Sequence, residues 1–421
     1  MPTWIERLLP PNPIARRLSY QSVLFAIGQG AFLTGSAVFF THIVGLTASQ
    51  VGLGLTIAGV ASFAFAVPLG RFADKVGTKR LWAVSSLIDA GLFLVWPWLE
   101  GFSQFVAMVV VLEVTGTAGY TAFGAYSLNV FPREERVRSQ AFMRSALNIG
   151  FTIGALIGGL ALATNSDAVI RWMPVLPAVV LAINSFLITR LPEASAEADA
   201  SSDVAALVDS PKRRSVLRNR GYVAMSFFDG ILSTNQVLLN VVIPLWLVQE
   251  TDAPRVLLAW LFGTNTVLAV LLQVPASRGS ETVNGALRAA RLSTGFMVLS
   301  CFVVMFTHDT IGWTTILLVW FGHVTVTGAE LFESAGHWGL TSELSEPARR
   351  AEYQGAGHVG GTLGSVWAPA LFTFLAMEKG ATGWLLIAGI VVVAGIGIHP
   401  AARAAERYLA TRTAAAADQP A

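Results

Sequence analysis

The sequence predicts an all-α membrane protein with twelve transmembrane helices in two sets of six. Three observations carry this: an apolar composition, twelve apolar runs of membrane-crossing length, and basic residues confined to alternate loops. A soluble domain is about 25% charged, whereas these 421 residues are 13% charged and 54% hydrophobic, with a mean hydropathy of +0.60. No soluble core needs so much apolar surface, so the excess is expected to face lipid.

A helix of roughly 20 apolar residues crosses the hydrocarbon core. The first six runs cover Leu18–Val44, Val51–Gly70, Leu81–Leu99, Phe105–Phe131, Arg138–Ala163 and Met173–Leu191. The second six cover Tyr222–Val248, Val256–Ala276, Leu287–Thr307, Trp313–Leu340, Gln354–Ala376 and Gly383–His399. Between the sets, 192–219 is first rich in Ala, Ser, Asp and Glu and then basic at "PKRRSVLRNR", the composition of a solvated linker. The expected organisation is a six-helix bundle over 1–191, that linker, a second bundle over 220–402, and a tail over 403–421.

With twelve runs, the first loop side carries both termini and the loops after the even-numbered runs. That side holds 24 of the 28 Lys and Arg residues, the other side only Arg171, Arg255 and Lys379, and Arg144 lies within the fifth run. The positive-inside rule then makes the crowded side, and both termini, cytoplasmic. An odd number of runs would scramble this alternation. The net charge of +2 comes from short basic clusters between apolar runs, a pattern that does not suggest nucleic-acid binding. The single cysteine, Cys301, excludes a disulfide framework or a cysteine-based zinc site. The N-terminus lacks a small-residue cleavage site before its first apolar run, so no removable signal peptide is expected.

The two halves echo each other: Tyr20, Phe25 and Gly28 recur as Tyr222, Phe227 and Gly230 at one offset, and Gly77-x-x-Arg80 recurs in the matching loop as Gly285-x-x-Arg288. Parallel six-helix repeats are a known transporter design.

Helical periodicity at about 100° per residue places polar residues in stripes. The first run aligns Ser22, Gln29 and Ser36, and the fourth aligns Glu113, Thr117 and Tyr120. The seventh aligns Asp229, Ser233, Gln236 and Asn240, and the tenth His323, Thr327, Glu330, Ser334 and His337, with Glu333 on the flank. The twelfth is nearly all apolar until His399, as a lipid-facing helix should be. Ser and Thr can bond back to their own helix, and Asn or Gln can join neighbouring helices. Intramembrane carboxylates are harder to explain so, because a charge there costs at least ~2.5–3.5 kcal/mol on insertion scales. Asp89, Glu113, Asp229, Glu330 and Glu333 are the candidate acids, with Arg144 as the candidate base. One base cannot pair them all, so some are expected to be protonated, solvated in a cavity or facing a cation.

The stretch "GRFADKVGTKR" carries five charges in residues 70 to 80 between two apolar runs. Glycines permit a tight turn and close helix approach, and Asp74 can accept from backbone N–H groups at a helix N-terminus. A positive-inside anchor alone would account for the Lys and Arg but not for Gly-x-x-x-Asp. Gly70, Asp74, Lys75, Gly77, Lys79 and Arg80 fill the positions of a loop that resembles the signature G-x-x-x-D-R/K-x-G-x-R/K-R/K of the Major Facilitator Superfamily. The resemblance implies an alternating-access transporter with two pseudo-symmetric bundles around a central cavity lined by the first, fourth, seventh and tenth helices. It also implies that Asp74 latches the halves in one conformation and releases in another.

In the fifth run "GFTIGALIGG" resembles the G-x-x-x-G-P-x-x-G-G motif of drug:proton antiporters in that superfamily, through Gly150, Gly154, Gly158 and Gly159. Ala155 stands where that motif has proline. The fourth run also lacks the arginine usual in those antiporters and offers Glu113 instead. Gly150, Gly154 and Gly158 are equally the small-residue face of a closely packed helix. "GAGHVG", Gly355 to Gly360, matches a dinucleotide fingerprint only in letters, because that motif needs a preceding strand and here follows a polar loop; small-residue packing is expected. The six histidines are scattered through spans and loops, so no metal or nucleophile constellation is expected.

The expected function is secondary active transport: proton-coupled export of a small amphipathic organic compound, such as a drug or secondary metabolite. Glu113, Asp229 and Glu330 are the candidate proton carriers, and Gln29, Tyr120, Gln236, Asn240, His323, Glu333 and His337 are the candidate cavity contacts. The alternatives are proton-linked uptake of a small solute, or a membrane-embedded enzyme or receptor on a transporter-like scaffold; the latter would need a catalytic cluster or an added soluble domain. No enzymatic activity, cofactor, metal or nucleic-acid partner is expected. The partners are substrate, protons and the bilayer, in a monomer of the plasma (inner) membrane.

Overall fold

The structure, a computed structural model, describes residues 10–194 and 215–417; most of the expected linker and the end of the tail lie outside the described residues. Every regular element described is helical. Among the described residues, eleven helices are long and apolar enough to cross a membrane: α1 Pro13–Ile43, α2 Ser49–Val76, α3 Thr78–Trp98, α4 Gly101–Val130, α5 Arg133–Ala163, α6 Asp167–Thr189, α7 Arg220–Glu250, α8 Leu257–Ala276, α9 Val283–Asp309, α10 Trp313–Leu344 and α11, whose membrane-competent stretch is Pro347–Arg412. The eleventh and twelfth expected runs thus fall in one stretch of helix, Arg350–Ala417, interrupted at Gly380 with φ 51° and ψ −129°.

The chain divides into two compact units. The first holds Met1–Pro132, Ser139–Asp199 and Pro347–Gly355; the second holds Arg133–Arg138, Ala200–Glu346 and Ala356–Ala421. The division departs from the expected boundaries in two places. The start of α5, Arg133–Arg138, belongs to the second unit, and the start of α11, Pro347–Gly355, belongs to the first.

In the first unit α5 lies directly on α1. A Cβ on Gly150, Gly154 or Gly158 would stand 2.3, 2.2 and 2.4 Å from the carbonyl oxygens of Val23, Ile27 and Ala31. Lipid tails are as apolar as side chains, so helices in a membrane associate by packing rather than by escape from water, and these glycines let two backbones touch. Gly159 has open space instead. One end of the unit closes on aromatic rings: Phe32 meets Phe93 edge to face at 5.3 Å, and Phe40 meets Phe105 at 5.0 Å. Such pairs contribute about 0.5–1.5 kcal/mol each beyond buried area.

In the second unit α9 and α10 are joined by buried hydroxyls. Ser293 Oγ donates to the Ala329 carbonyl and Ser300 Oγ to that of Gly322, both at 2.8 Å. The α11 glycines do what small-residue packing demands, since a Cβ on Gly360 would meet the Ser226 oxygen of α7 at 2.1 Å. No strand precedes "GAGHVG", which lies within the helix. The internal echo is unequal in its surroundings: Tyr20 is exposed whereas Tyr222 is fully buried, but Gly28 and Gly230 both sit against a neighbouring backbone.

Helix α7 is not a continuous rod. Its first segment, Arg220–Leu232, ends in a turn, and a π-helical turn over Leu238–Val242 precedes Ile243–Glu250. A constant 100° step therefore fails beyond Leu232, and the expected stripe on this helix breaks there.

Candidate functional site

Within the first unit a cavity of about 480 Å³ opens between α1, α3, α4 and α6, within the range of small-molecule sites. Gln21, Ser22 and Gln29 reach it from α1, Asp89 from α3, and Glu113 and Tyr120 from α4; Phe25, Phe93, Leu112 and Leu181 supply apolar wall. The expected residues Gln29, Glu113 and Tyr120 are therefore brought together. Asp89, a candidate acid that none of the expected stripes included, accepts from Thr115 Oγ1 and also lines the cavity. Asn184 of α6 lines it too, donating to Ser86 at 3.3 Å; a lone Asn in an apolar run was its only sequence signal.

The fourth-run stripe splits. Glu113 and Tyr120 are exposed, but Thr117 is 3% exposed and its Oγ1 lies 2.7 Å from Ser62 Oγ of α2. Thr117 thus joins two helices and does not face the cavity. Spacing locates a face of a helix; it does not say which neighbour covers that face.

In the second unit the expected residues form three groups. Asp229 Oδ2 and His337 Nδ1 lie 2.6 Å apart. Ligand-type atoms of Asp229, Glu333 and His337 all fall within 4.8 Å of one another. This corrects the expectation that the histidines are scattered with no metal-ligand constellation. Asp229 and His337 are 108 residues apart in sequence, so nothing in the spacing signalled the pair, in which each polar side chain gives the other a partner inside a span.

The second group is Glu330, 4% exposed, which accepts from Asn265 Nδ2 of α8 at 3.0 Å while the same amide reaches Thr327 at 3.2 Å. His323 is fully buried, with its ring 6.5 Å from that of Phe262. Asn265 is a residue that sequence reasoning missed; its signal was the polar interruption Thr264-Asn265-Thr266 in the apolar eighth run. Gln236 and Asn240 turn to each other, Asn240 Nδ2 donating to the Gln236 carbonyl and Oε1 at 3.0 and 3.3 Å.

The charged loop after α2 closes on the start of α11, inside the first unit. Asp74 Oδ1 and Oδ2 accept from the backbone N–H of Ala351 and Glu352, 3.0 Å each, and those amides belong to a first helical turn whose carbonyl partners do not yet exist. Arg71 Nε donates to Glu352 at 2.9 Å, Arg349 also pairs with Glu352, and the Arg350 guanidinium donates to the Leu128 carbonyl. A Cβ on Gly70 would stand 2.3 Å from the Ala351 oxygen, and Gly77 turns the chain at φ +100°. Lys79 pairs with Glu193 at 2.8 Å, while Lys75 and Arg80 are exposed. Glu352 and Arg349 were legible only as part of a polar loop.

Residues 19–369, well over half the chain, match the sequence family described as Major Facilitator Superfamily. The chain belongs to the Major Facilitator Superfamily. Among curated proteins none matches significantly by sequence. Solved structures share the fold. The human organic anion transporter MFSD10 (TETRAN) superposes with a TM-score of 0.67 at 14% identity, over 92% of this chain and 100% of that one. A bacterial homologue of the iron transporter ferroportin, in an outward-facing state, gives 0.69 at 12% identity over 93% and 99%. The proton:xylose symporter XylE gives 0.70 at 13% identity over 91% and 94%. This superfamily member is thus an all-helical, multi-pass integral membrane protein with a transporter fold.

Proposed function

We propose that this transporter couples inward proton flow to the export of a small amphipathic organic compound by alternating access. The observation that carries the reading is the first-unit cavity, where an apolar wall is broken by Gln29, Tyr120 and two carboxyl side chains, Asp89 and Glu113. An apolar body would be held by the wall and a polar or cationic end by the carboxyls. A carboxyl drawn out of water favours its neutral form, so one that is alternately wetted and enclosed can load and release a proton. Glu113 suits this task better than the other two candidate carriers. Asp229 has His337 against it, and Glu330 is buried beneath Asn265, whereas Glu113 is exposed to the cavity.

The break at Gly380 supports twelve crossings. A continuous 66-residue helix would run about 100 Å at 1.5 Å per residue, three times a hydrocarbon core of about 30 Å. Twelve crossings place both termini on the Lys- and Arg-rich side, the cytoplasmic side of a plasma membrane. Asp74 then grips the first turn of α11 in one conformation and frees it in another, and the chain works as a monomer.

Proton-linked uptake is the second reading, favoured by the proton:xylose symporter named above, whose fold this chain shares. The deciding experiment is transport in everted vesicles with and without an imposed proton gradient, screening lipophilic cations and neutral amphipaths, alongside Glu113→Gln. Export coupled to protons predicts gradient-driven accumulation in everted vesicles that Glu113→Gln abolishes while substrate binding persists. Gradient-independent flux, or coupling that survives single and triple amide replacement of Glu113, Asp229 and Glu330, refutes proton antiport through these acids.

A further inference from the structure

A second cavity, about 550 Å³, lies in the second unit where α8 turns into α9 beside α10. Its character differs from that of the first. Arg278, just past the end of α8, and Arg288, in the second turn of α9, both line it and both are exposed. Among the described residues neither guanidinium has a hydrogen-bond or ion-pair partner. Away from the arginines the groove is apolar, walled by Leu272 of α8 and by Leu292 and Phe296 of α9, with Phe296 stacked on Phe332 of α10 at 5.7 Å and 11°. Leu272 and Leu292 are 43% and 39% exposed. From Arg288 to Phe296 the floor runs two helical turns, about 12 Å at 1.5 Å per residue.

Two cations at the end of a span and an open apolar trough leading from them into the span have one natural complement. Guanidinium forks match the oxygens of a phosphodiester bidentately, and an acyl chain can lie along the trough. We infer that this groove binds an anionic glycerophospholipid, its phosphate between Arg278 and Arg288 and one acyl chain over Leu272, Leu292 and Phe296. A zwitterionic lipid brings its own ammonium to the phosphate and competes with the arginines for it. The inference also gives the repeated Gly285-x-x-Arg288 a role apart from that of the charged loop after α2, since Arg288 here faces a groove and not a helix terminus. It does not depend on the direction or coupling of transport.

The test uses the full chain in a neutral detergent, titrated with short-chain phosphatidylglycerol or phosphatidylcholine and read by native mass spectrometry. Phosphatidylglycerol should bind at one saturable site in preference to phosphatidylcholine. An arginine near the membrane surface is worth about a fivefold change in affinity for anionic lipid, so the double variant Arg278→Gln/Arg288→Gln should bind phosphatidylglycerol roughly 30-fold more weakly. Leu272→Trp, which fills the trough and leaves the charge intact, should weaken binding as well, and both variants should retain wild-type thermal stability in pure phosphatidylcholine nanodiscs. Equal binding of the two lipids, or unchanged affinity in either variant, overturns the assignment. So does glycerol phosphate displacing the lipid at matched concentration, which would mark a soluble-phosphate site.

Discussion

Asp74 is the residue at which the local chemistry is most explicit. One carboxylate accepts from two successive backbone amides, 277 and 278 residues away in the chain, both orphan donors of a helix start. Asp74→Asn keeps the shape but can accept with only one of its two side-chain atoms. The lost charge-assisted bond is worth about 1.5–3 kcal/mol. Transport by this variant should fall about tenfold or more while its abundance and insertion stay near wild type. Wild-type initial rates in reconstituted vesicles would remove the gripping role. Thiol accessibility separates the cavity residues from lipid-facing ones. In a Cys301→Ala background, cysteines at Gln29 or Tyr120, which line the cavity, should react with a water-soluble maleimide, and cysteines at Leu386 or Val392 should not. Glu330→Cys, at a position only 4% exposed, should react far more slowly than either cavity position; equal protection of all of them would mean that the cavity is dry.

At the scale of the element, the α1–α5 contact offers a matched pair of substitutions with opposite signs. At Gly154 an added methyl would lie 2.2 Å from the Ile27 carbonyl, whereas at Gly159 it would meet nothing within 4 Å. Gly154→Ala must push two backbones apart and should destabilise by about 1–3 kcal/mol, the usual result of overpacking. Gly159→Ala fills open space with a better helix former and should be neutral or stabilising by up to about 1 kcal/mol. Thermal unfolding in one detergent, compared side by side, checks both. A lower melting temperature for Gly159→Ala than for Gly154→Ala would contradict the packing account. Periodicity within an element was a good guide where the helix is regular, as at Glu113 and Tyr120, and a poor one in α7, where a turn and a π-helical turn reset the phase.

For the whole molecule, the question is how often the chain crosses the bilayer. If Gly380 is a turn between two spans, Lys379 and Arg403 lie on opposite faces. A cysteine at Lys379 should then be labelled from outside intact cells, and one at Arg403 only after permeabilisation. Labelling of both from the same face would leave eleven crossings and put the termini on opposite sides. Hydropathy could count these spans because every backbone polar group within the bilayer must be satisfied inside its own helix, which makes crossing a property of about 20 consecutive residues.

What the sequence by itself determined is of that local kind: an all-helical membrane chain, the position of its spans, the basic loops, and the superfamily loop from Gly70 to Arg80. What only tertiary structure decided is which polar side chain meets which. Asp229 with His337, Glu330 with Asn265, Ser62 with Thr117, and Asp74 with the first turn of α11 are 55 to 278 residues apart. Each depends on the rotation of two helices about their own axes. Lipid does not distinguish one apolar face from another, so hydrophobicity sets depth but leaves rotation to close-packed glycines and interhelical hydrogen bonds. For that reason Asp89 came to line the cavity and Thr117 was withdrawn from it, although helical period put Thr117 in a polar stripe and left Asp89 outside every one.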